Sequence, residues 1–259
     1  MTQAERRTFL IQRLLDEQPR SKGVIMPRDI TTTEQKNMLR SLMNIRMPKS
    51  ISEDFLTVQD EYLREENAAK GVTDLADMSP ISDGIYLWRG NITTLRCGAV
   101  VNAANSGMTG CYQPCHNCID NCIHTYAGIQ LRLACAEIME KQGHEEPPGQ
   151  AKITPAFNLP CRYVIHTVGP IVQGALTQQH CDLLSSCYRS CLKLADENGV
   201  DSIAFCCIST GVFMFPNERA AEIAVQTVKE YKAETGSRIE VIFNVFKDVD
   251  YEIYRGLLG

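Results

Sequence analysis

Residues 98–124 read GAVVNAANSGMTGCYQPCHNCIDNCIH. The stretch opens on a short apolar run, Ala99–Ala103, the pattern of a buried strand. It passes through Asn, Ser, Gly and Thr, which favour turns. It then crosses a loop crowded with cysteine and histidine, and from Ile119 to Lys141 the pattern predicts a helix. The same texture continues outward. Further candidate strands are Ile85–Arg89, Ile153–Ala156, Tyr163–Val168, Ser202–Ile208 and Glu240–Phe246. Further candidate helices are Thr177–Gly199, Pro216–Thr235 and Asp248–Leu257, and Pro216 suits a first helical turn, where its missing N–H is not needed. Buried strands alternating with helices predict a three-layer α/β/α sandwich with a mixed or largely parallel sheet. Ligands in such folds collect outside the carboxyl ends of the strands, so the loops after Ala103 and Ile208 are the leading site candidates.

Upstream the texture differs, and the expected division is a helical extension over 1–80 and an α/β domain over 81–259. Phe9, Leu10, Leu14 and Leu15 recur at helical spacing. Thr33 is a candidate N-cap with Glu34 in the first turn, followed by Leu39, Leu42 and Met43 on one face. Ser52 is a candidate cap for a third helix with Phe55, Val58 and Tyr62 inward, ended by Gly71. No catalytic cluster falls in this extension. It reads as a helical layer packed on the main domain, with a docking surface as the alternative.

The bulk numbers exclude some classes. The 259 residues carry 31 acidic against 26 basic side chains, a formal net charge of −5. That argues against a general nucleic-acid binder. It leaves room for a nucleotide site, which needs only a local nest of backbone N–H groups. No stretch approaches the roughly 20 apolar residues of a membrane span, and the charged start lacks the apolar core of a signal peptide. A cytoplasmic protein is expected. Its twelve cysteines should then be mostly reduced, buried or bound to metal rather than paired.

Gly110–His124 gathers Cys111, Cys115, His116, Cys118, Cys122 and His124. Thiolate and imidazole suit Zn2+. Cys111, His116 and Cys118 have the spacing C-x4-H-x-C, with Pro114 stiffening the turn. A structural site closes the tetrahedron with protein atoms, whereas a catalytic one leaves a position open. An open site would lower the pKa of a bound water toward about 7. Cys115 is the residue that could close the site, although adjacent side chains rarely both turn onto one metal. Cys122 and His124 are expected on the following helix, outside the metal set. Reduced, buried cysteines are the competing explanation.

Two further segments stand out. In Ile208–Pro216, ISTGVFMFP, Ser209, Thr210 and Gly211 offer backbone N–H groups after a strand and before a helix. That is a diphosphate cradle or an ordinary turn. In Val101–Asn105, VNAAN, Asn102 and Asn105 can bond sugar hydroxyls or cap the turn.

Taken together these segments resemble the macrodomain family. VVNAANSGMTGC…CIDNCIH resembles its first ligand loop, CISTGVFMFP its second, IYLWRGNIT its adenine-contact strand and YVIHTVGP a further strand. The resemblance covers about 80–259 in the expected order. GCYQPCHNC stands where hydrolytic macrodomains of the MacroD type carry a glycine-rich stretch. It looks like the zinc-dependent class, which also bears a helical N-terminal extension and occurs beside sirtuin-type ADP-ribosyltransferases and lipoate-carrier proteins.

The resemblance implies that Cys111, His116 and Cys118 bind zinc near the distal ribose of ADP-ribose. Asn105 would contact that ribose, and Asp120 would be the acidic residue of hydrolysis. Ser209, Thr210, Gly211, Val212 and Phe213 would surround the diphosphate, with Phe213 beside the ribose. Asn91 and Ile92 would lie at the adenine. The family usually has GDIT, where this chain has Gly90-Asn91-Ile92-Thr93. Asn91 can accept only without charge assistance.

The expected function is zinc-dependent removal of mono-ADP-ribose from protein side chains, reversing a sirtuin-type transferase, with a modified lipoate-carrier protein as one suggested partner. Asp120 would orient the water or act as base. The alternatives are a non-catalytic ADP-ribose-binding module and a zinc-stabilised interaction domain.

Overall fold

The computed structural model describes residues 1–18 and 30–259. Among the described residues, three helices precede the first strand: α1 (Gln3–Asp16), α2 (Thr32–Ile45) and α3 (Glu53–Ala69). Helix α2 begins two residues earlier than expected. Thr31 accepts the Glu34 N–H while the Glu34 carboxylate accepts the Thr31 N–H. That reciprocal pair needs a spacing of three, which Thr31 has and Thr33 lacks. Leu10, Leu14, Leu39, Leu42, Phe55 and Tyr62 form the core of this layer, and Ile129 from the main domain closes it.

Two short strands, β1 (Thr73–Asp74) and β3 (Leu95–Arg96), pair in parallel. At two residues each they carry no readable alternation. The main sheet contains β2 (Ile85–Arg89), β4 (Ala99–Ala104), β5 (Ala151–Pro155), β6 (Tyr163–Val168), β7 (Ser202–Phe205) and β8 (Glu240–Val245). Its order is β2-β8-β7-β4-β6-β5. All neighbours are parallel except β5 and β6, so the sheet is mixed. β5 starts two residues before the predicted run, and Pro155 ends it on the sheet edge, where a missing N–H is tolerated. β7 stops at Phe205, before the predicted Ile208.

Five helices cover the sheet: α4 (Ile119–Ala127), α5 (Ile129–Gln142), α6 (Gln178–Glu197), α7 (Asn217–Thr235) and α8 (Asp248–Leu258). Helices α4 and α5 pack together over β4 and β5, while α6, α7 and α8 form the other layer. Pro216 is the N-cap of α7 rather than its first helical residue. The predicted helix 119–141 is split at Gly128, whose φ of 101° breaks the ladder. Gln59 of α3 repairs the break by accepting the Ile129 N–H through Oε1 at 3.0 Å. Among the described residues, no helix is long and apolar enough to cross a membrane.

From β4 the chain moves to β5 and back to β6 on one side. From β7 it moves to β8 on the other. The border between β4 and β7 is therefore the switch point at which a crevice opens. The loops after β4 and β7 flank it.

Candidate active site

Asn102 lies on β4, fully buried. Its Nδ2 donates to Asp120 Oδ1 at 2.8 Å and lies 3.2 Å from His166 Nδ1. Asn105, just past the strand, donates Nδ2 to Asp120 Oδ2 at 3.2 Å and to the Gly110 carbonyl at 3.2 Å. Its Oδ1 accepts the Gly107 N–H. The two asparagines of VNAAN therefore act on the loop and on Asp120. Turn chemistry and site chemistry are combined in them.

Asp120 is in the first turn of α4 and 5 % exposed. Each carboxylate oxygen receives one asparagine amide. An oxygen of this kind accepts two bonds, so one direction remains on each. Burial pushes the carboxyl up to about 6, against the asparagine bonds and the charge of Arg132.

Below Asp120 lies a buried floor. His124 Nε2 is 3.5 Å from Asp120 Oδ1, and neither ring nitrogen has a hydrogen-bond partner among the described residues. His166 Nε2 is 2.9 Å from Thr154 Oγ1, and burial pushes its pKa down to about 3. His124, Cys135 and His166 have ligand atoms within 4.8 Å of one another. Both nitrogens of His166 already sit in hydrogen bonds, so this group reads as a polar floor. His166 was visible only as part of a strand; nothing in its spacing links it to Asp120.

The ligand atoms of Cys111, His116 and Cys118 all lie within 4.8 Å of one another, and Cys111 Sγ is 3.5 Å from His116 Nδ1. Cys118 is the N-cap of α4 and accepts the Asn121 N–H at 3.4 Å. Burial pushes its thiol up to about 12; the Asn121 N–H opposes this and the Cys111 sulfur adds to it. Positive charge between the sulfurs would reverse the push. Two sulfurs and an imidazole within one ion's reach fit a zinc ion. Cys122 lies outside the group. Cys115 faces elsewhere: its Sγ is 3.1 Å from Ser41 Oγ and donates to the Asn37 carbonyl, both on α2. A positive φ of 52° at Cys115 accompanies that outward turn.

The second loop works through its backbone. Ser209 and Met214 take left-handed conformations, with φ of 65° and 57°. Among the described residues, none accepts a hydrogen bond from the N–H groups of Gly211, Val212 and Phe213. The loop is held by Phe215 N–H on Ser209 O, Met214 N–H on Gly211 O and Val172 N–H on Phe213 O. Thr210 Oγ1 donates to the Cys207 carbonyl. Successive free N–H groups beside residues of positive φ make an anion nest. Ser209 packs on Gly169, where an added Cβ would meet Ser209 Oγ at 2.0 Å.

At the far end of the crevice the Asn91 Oδ1 accepts from Thr93 N–H and Oγ1. It caps the turn at Ile92–Thr94. Ile92 is buried in the core, so only its backbone can face a ligand. Phe246, which the sequence places at the end of the last strand, lies just past β8 beside this turn and is 78 % exposed.

A family model described as Macro domain matches residues 101–224. A protein-ADP-ribose hydrolase of Treponema medium is 60% identical over 263 residues, covering 100% of both chains. A probable bifunctional ADP-ribose hydrolase/ADP-ribosyltransferase of Fusarium oxysporum f. sp. cubense is 41% identical over 250 residues, covering 89% of this chain and 42% of that one. Among solved structures, the Oceanobacillus iheyensis macrodomain with ADP has a TM-score of 0.62 and 37% identity, covering 70% of this chain and 93% of that one.

Proposed function

From the premise that the chain belongs to the macrodomain family, we propose that it is a zinc-dependent protein-ADP-ribose hydrolase. The observation that carries this is the pairing of Asn102 and Asn105 on the two oxygens of Asp120, two residues from the Cys/His/Cys group. The Treponema medium relative, named for that activity, is similar over its whole length.

In this reading the nest of Gly211, Val212 and Phe213 receives the diphosphate. The exposed face of Phe246 is open to the adenine. Asn105 holds the first loop against Asp120 and so sets where the distal ribose sits. Asp120 uses a free acceptor direction to orient a water at the scissile carbon or to take its proton. Holding substrate and water together removes orientational freedom and lowers the barrier. Cys111, His116 and Cys118 would hold zinc, which supplies Lewis-acid charge at the ribose end of the crevice. The outward turn of Cys115 supports an open site over a closed, structural one.

The substrate is a mono-ADP-ribosylated protein, and the reaction reverses an ADP-ribosyltransferase. The Fusarium oxysporum relative, named for both activities, supports that coupling. A sirtuin-type transferase and a modified lipoate-carrier protein are the proposed partners. Chelation of zinc should abolish release of ADP-ribose from a modified protein, and added zinc should restore it. Hydrolysis at an unchanged rate after chelation would sink the catalytic-metal reading.

A further inference from the structure

The three N-terminal helices have no part in the reading above. We infer that α2 is a positioning element for the metal loop, acting through Arg40 and the buried Asn121; this rests on the reading of Cys111, His116 and Cys118 as metal ligands.

The loop between Cys111 and Cys118 has no helix or strand of its own, so its backbone polar groups need partners from elsewhere. Several find them in three side chains, Arg40, Asn121 and Asn44. Arg40 Nη2 donates to the His116 carbonyl at 2.6 Å and to Asn121 Oδ1 at 2.9 Å. Asn121 Nδ2 donates to the Cys111 and Gln113 carbonyls at 3.4 and 2.9 Å, and its N–H reaches Cys118 Sγ. Every one of the three ligand residues is thus gripped by Arg40 or Asn121. Asn121 is fully buried, and its oxygen is fixed by the guanidinium. A turn further along α2, Asn44 Oδ1 accepts the Cys115 N–H at 2.9 Å, and Ser41 meets its sulfur. Arg40, Ser41 and Asn44 share one side of the helix, so α2 presents a single polar edge to the loop.

The helix is anchored independently of that edge. Leu39, Leu42 and Met43 enter the core of the extension. Arg132 of α5 donates to the carbonyls of Met43, Asn44 and Arg46, capping the helix end, and its guanidinium lies 4.2 Å from the Tyr112 ring centroid. Loss of Arg40 therefore frees the loop while leaving α2 in place. Ligands on a loose loop must be ordered when the ion binds, which weakens binding. Groups that orient metal ligands typically change affinity about 10–100-fold when removed.

The test is zinc affinity of the full chain under reducing conditions, measured by competition with a chromogenic chelator. One zinc per wild-type chain, bound about 10–100-fold more weakly by Arg40→Ala, is expected. Arg6→Ala, which breaks the ion pairs with Glu61 and Glu65 on the far side of the extension, should leave the affinity unchanged. Asn121→Asp keeps the acceptor for Arg40 but loses the amide donor, and should weaken zinc similarly if Arg40→Ala proves insoluble. A lower melting temperature of the chelated protein with an unchanged zinc constant would mean that Arg40 is merely structural and would overturn the inference. A wild-type chain that binds no zinc would overturn the metal reading, and this inference with it.

Discussion

The two loops that flank the crevice leave neighbouring strands, β4 and β7, yet they are built differently. The first works through side chains: Asn102 and Asn105 on Asp120, and three ligand atoms within 4.8 Å of one another. Each is held by a further side chain, some from α2. The second works through backbone N–H groups on residues of ordinary type, held by packing against Gly169. The difference teaches where each is fragile. A side-chain site fails when its own residues change. A backbone site fails when its neighbours change.

The largest expected effect is at Asp120. Asp120→Asn should lower single-turnover hydrolysis by about 10²–10⁴-fold while ADP-ribose affinity, read by calorimetry, changes less than about tenfold (~1.4 kcal/mol). Equal losses in both measurements would mean that the loops are not separable.

Acid should strain the buried floor below Asp120 and spare the second loop, which has no titratable side chain between Ser209 and Phe215. Burial holds His166 at about 3 in the folded state, below its ordinary 6.5. The unfolded chain therefore binds a proton between those values that the folded chain does not. The stability is present above pH 6.5 and is lost as pH falls toward 3. Between pH 7 and 5 this costs about 2 kcal/mol, partly offset by Asp120, whose raised carboxyl takes up a proton in the folded chain over the same range. His124 is shifted in the same direction by the same burial and adds to the slope. Chemical denaturation across that range should show the loss, and His166→Asn should flatten it.

Gly169→Ala sharpens the contrast from the other side. The added methyl must displace Ser209, so ADP-ribose affinity should fall about tenfold with zinc content unchanged. Zinc loss in this variant would contradict the independence of the loops. The smallest effect is expected for Cys115→Ala, which removes a sulfur directed at α2. Zinc stoichiometry should stay the same, and a drop would restore Cys115 to the ligand set.

Much of this was legible beforehand. The strands Ile85–Arg89 and Tyr163–Val168 are found where their apolar runs predict them. The Cys/His/Cys group comes together at the predicted spacing, because ligands five and two residues apart need only one loop to meet. The split at Gly128 was not legible, since Gln59, which accepts the Ile129 N–H there, lies 70 residues before Ile129. Neither was the pairing of Asn91 with Thr93, which occupies the very oxygen that the sequence offered to a base.

What the sequence by itself determined is the set of local facts: periodicity, turn chemistry, donor types and their spacing. These depend on a few adjacent residues, so a linear reading reaches them. What only the tertiary structure decided is which way each donor turns. Cys115 and His116 are neighbours in the chain, yet one sulfur goes to α2 and one imidazole to the ligand group. The reason is that buried polar groups must find partners, and the partners at Ser41, Arg40 and Asn44 come from a helix more than 70 residues upstream.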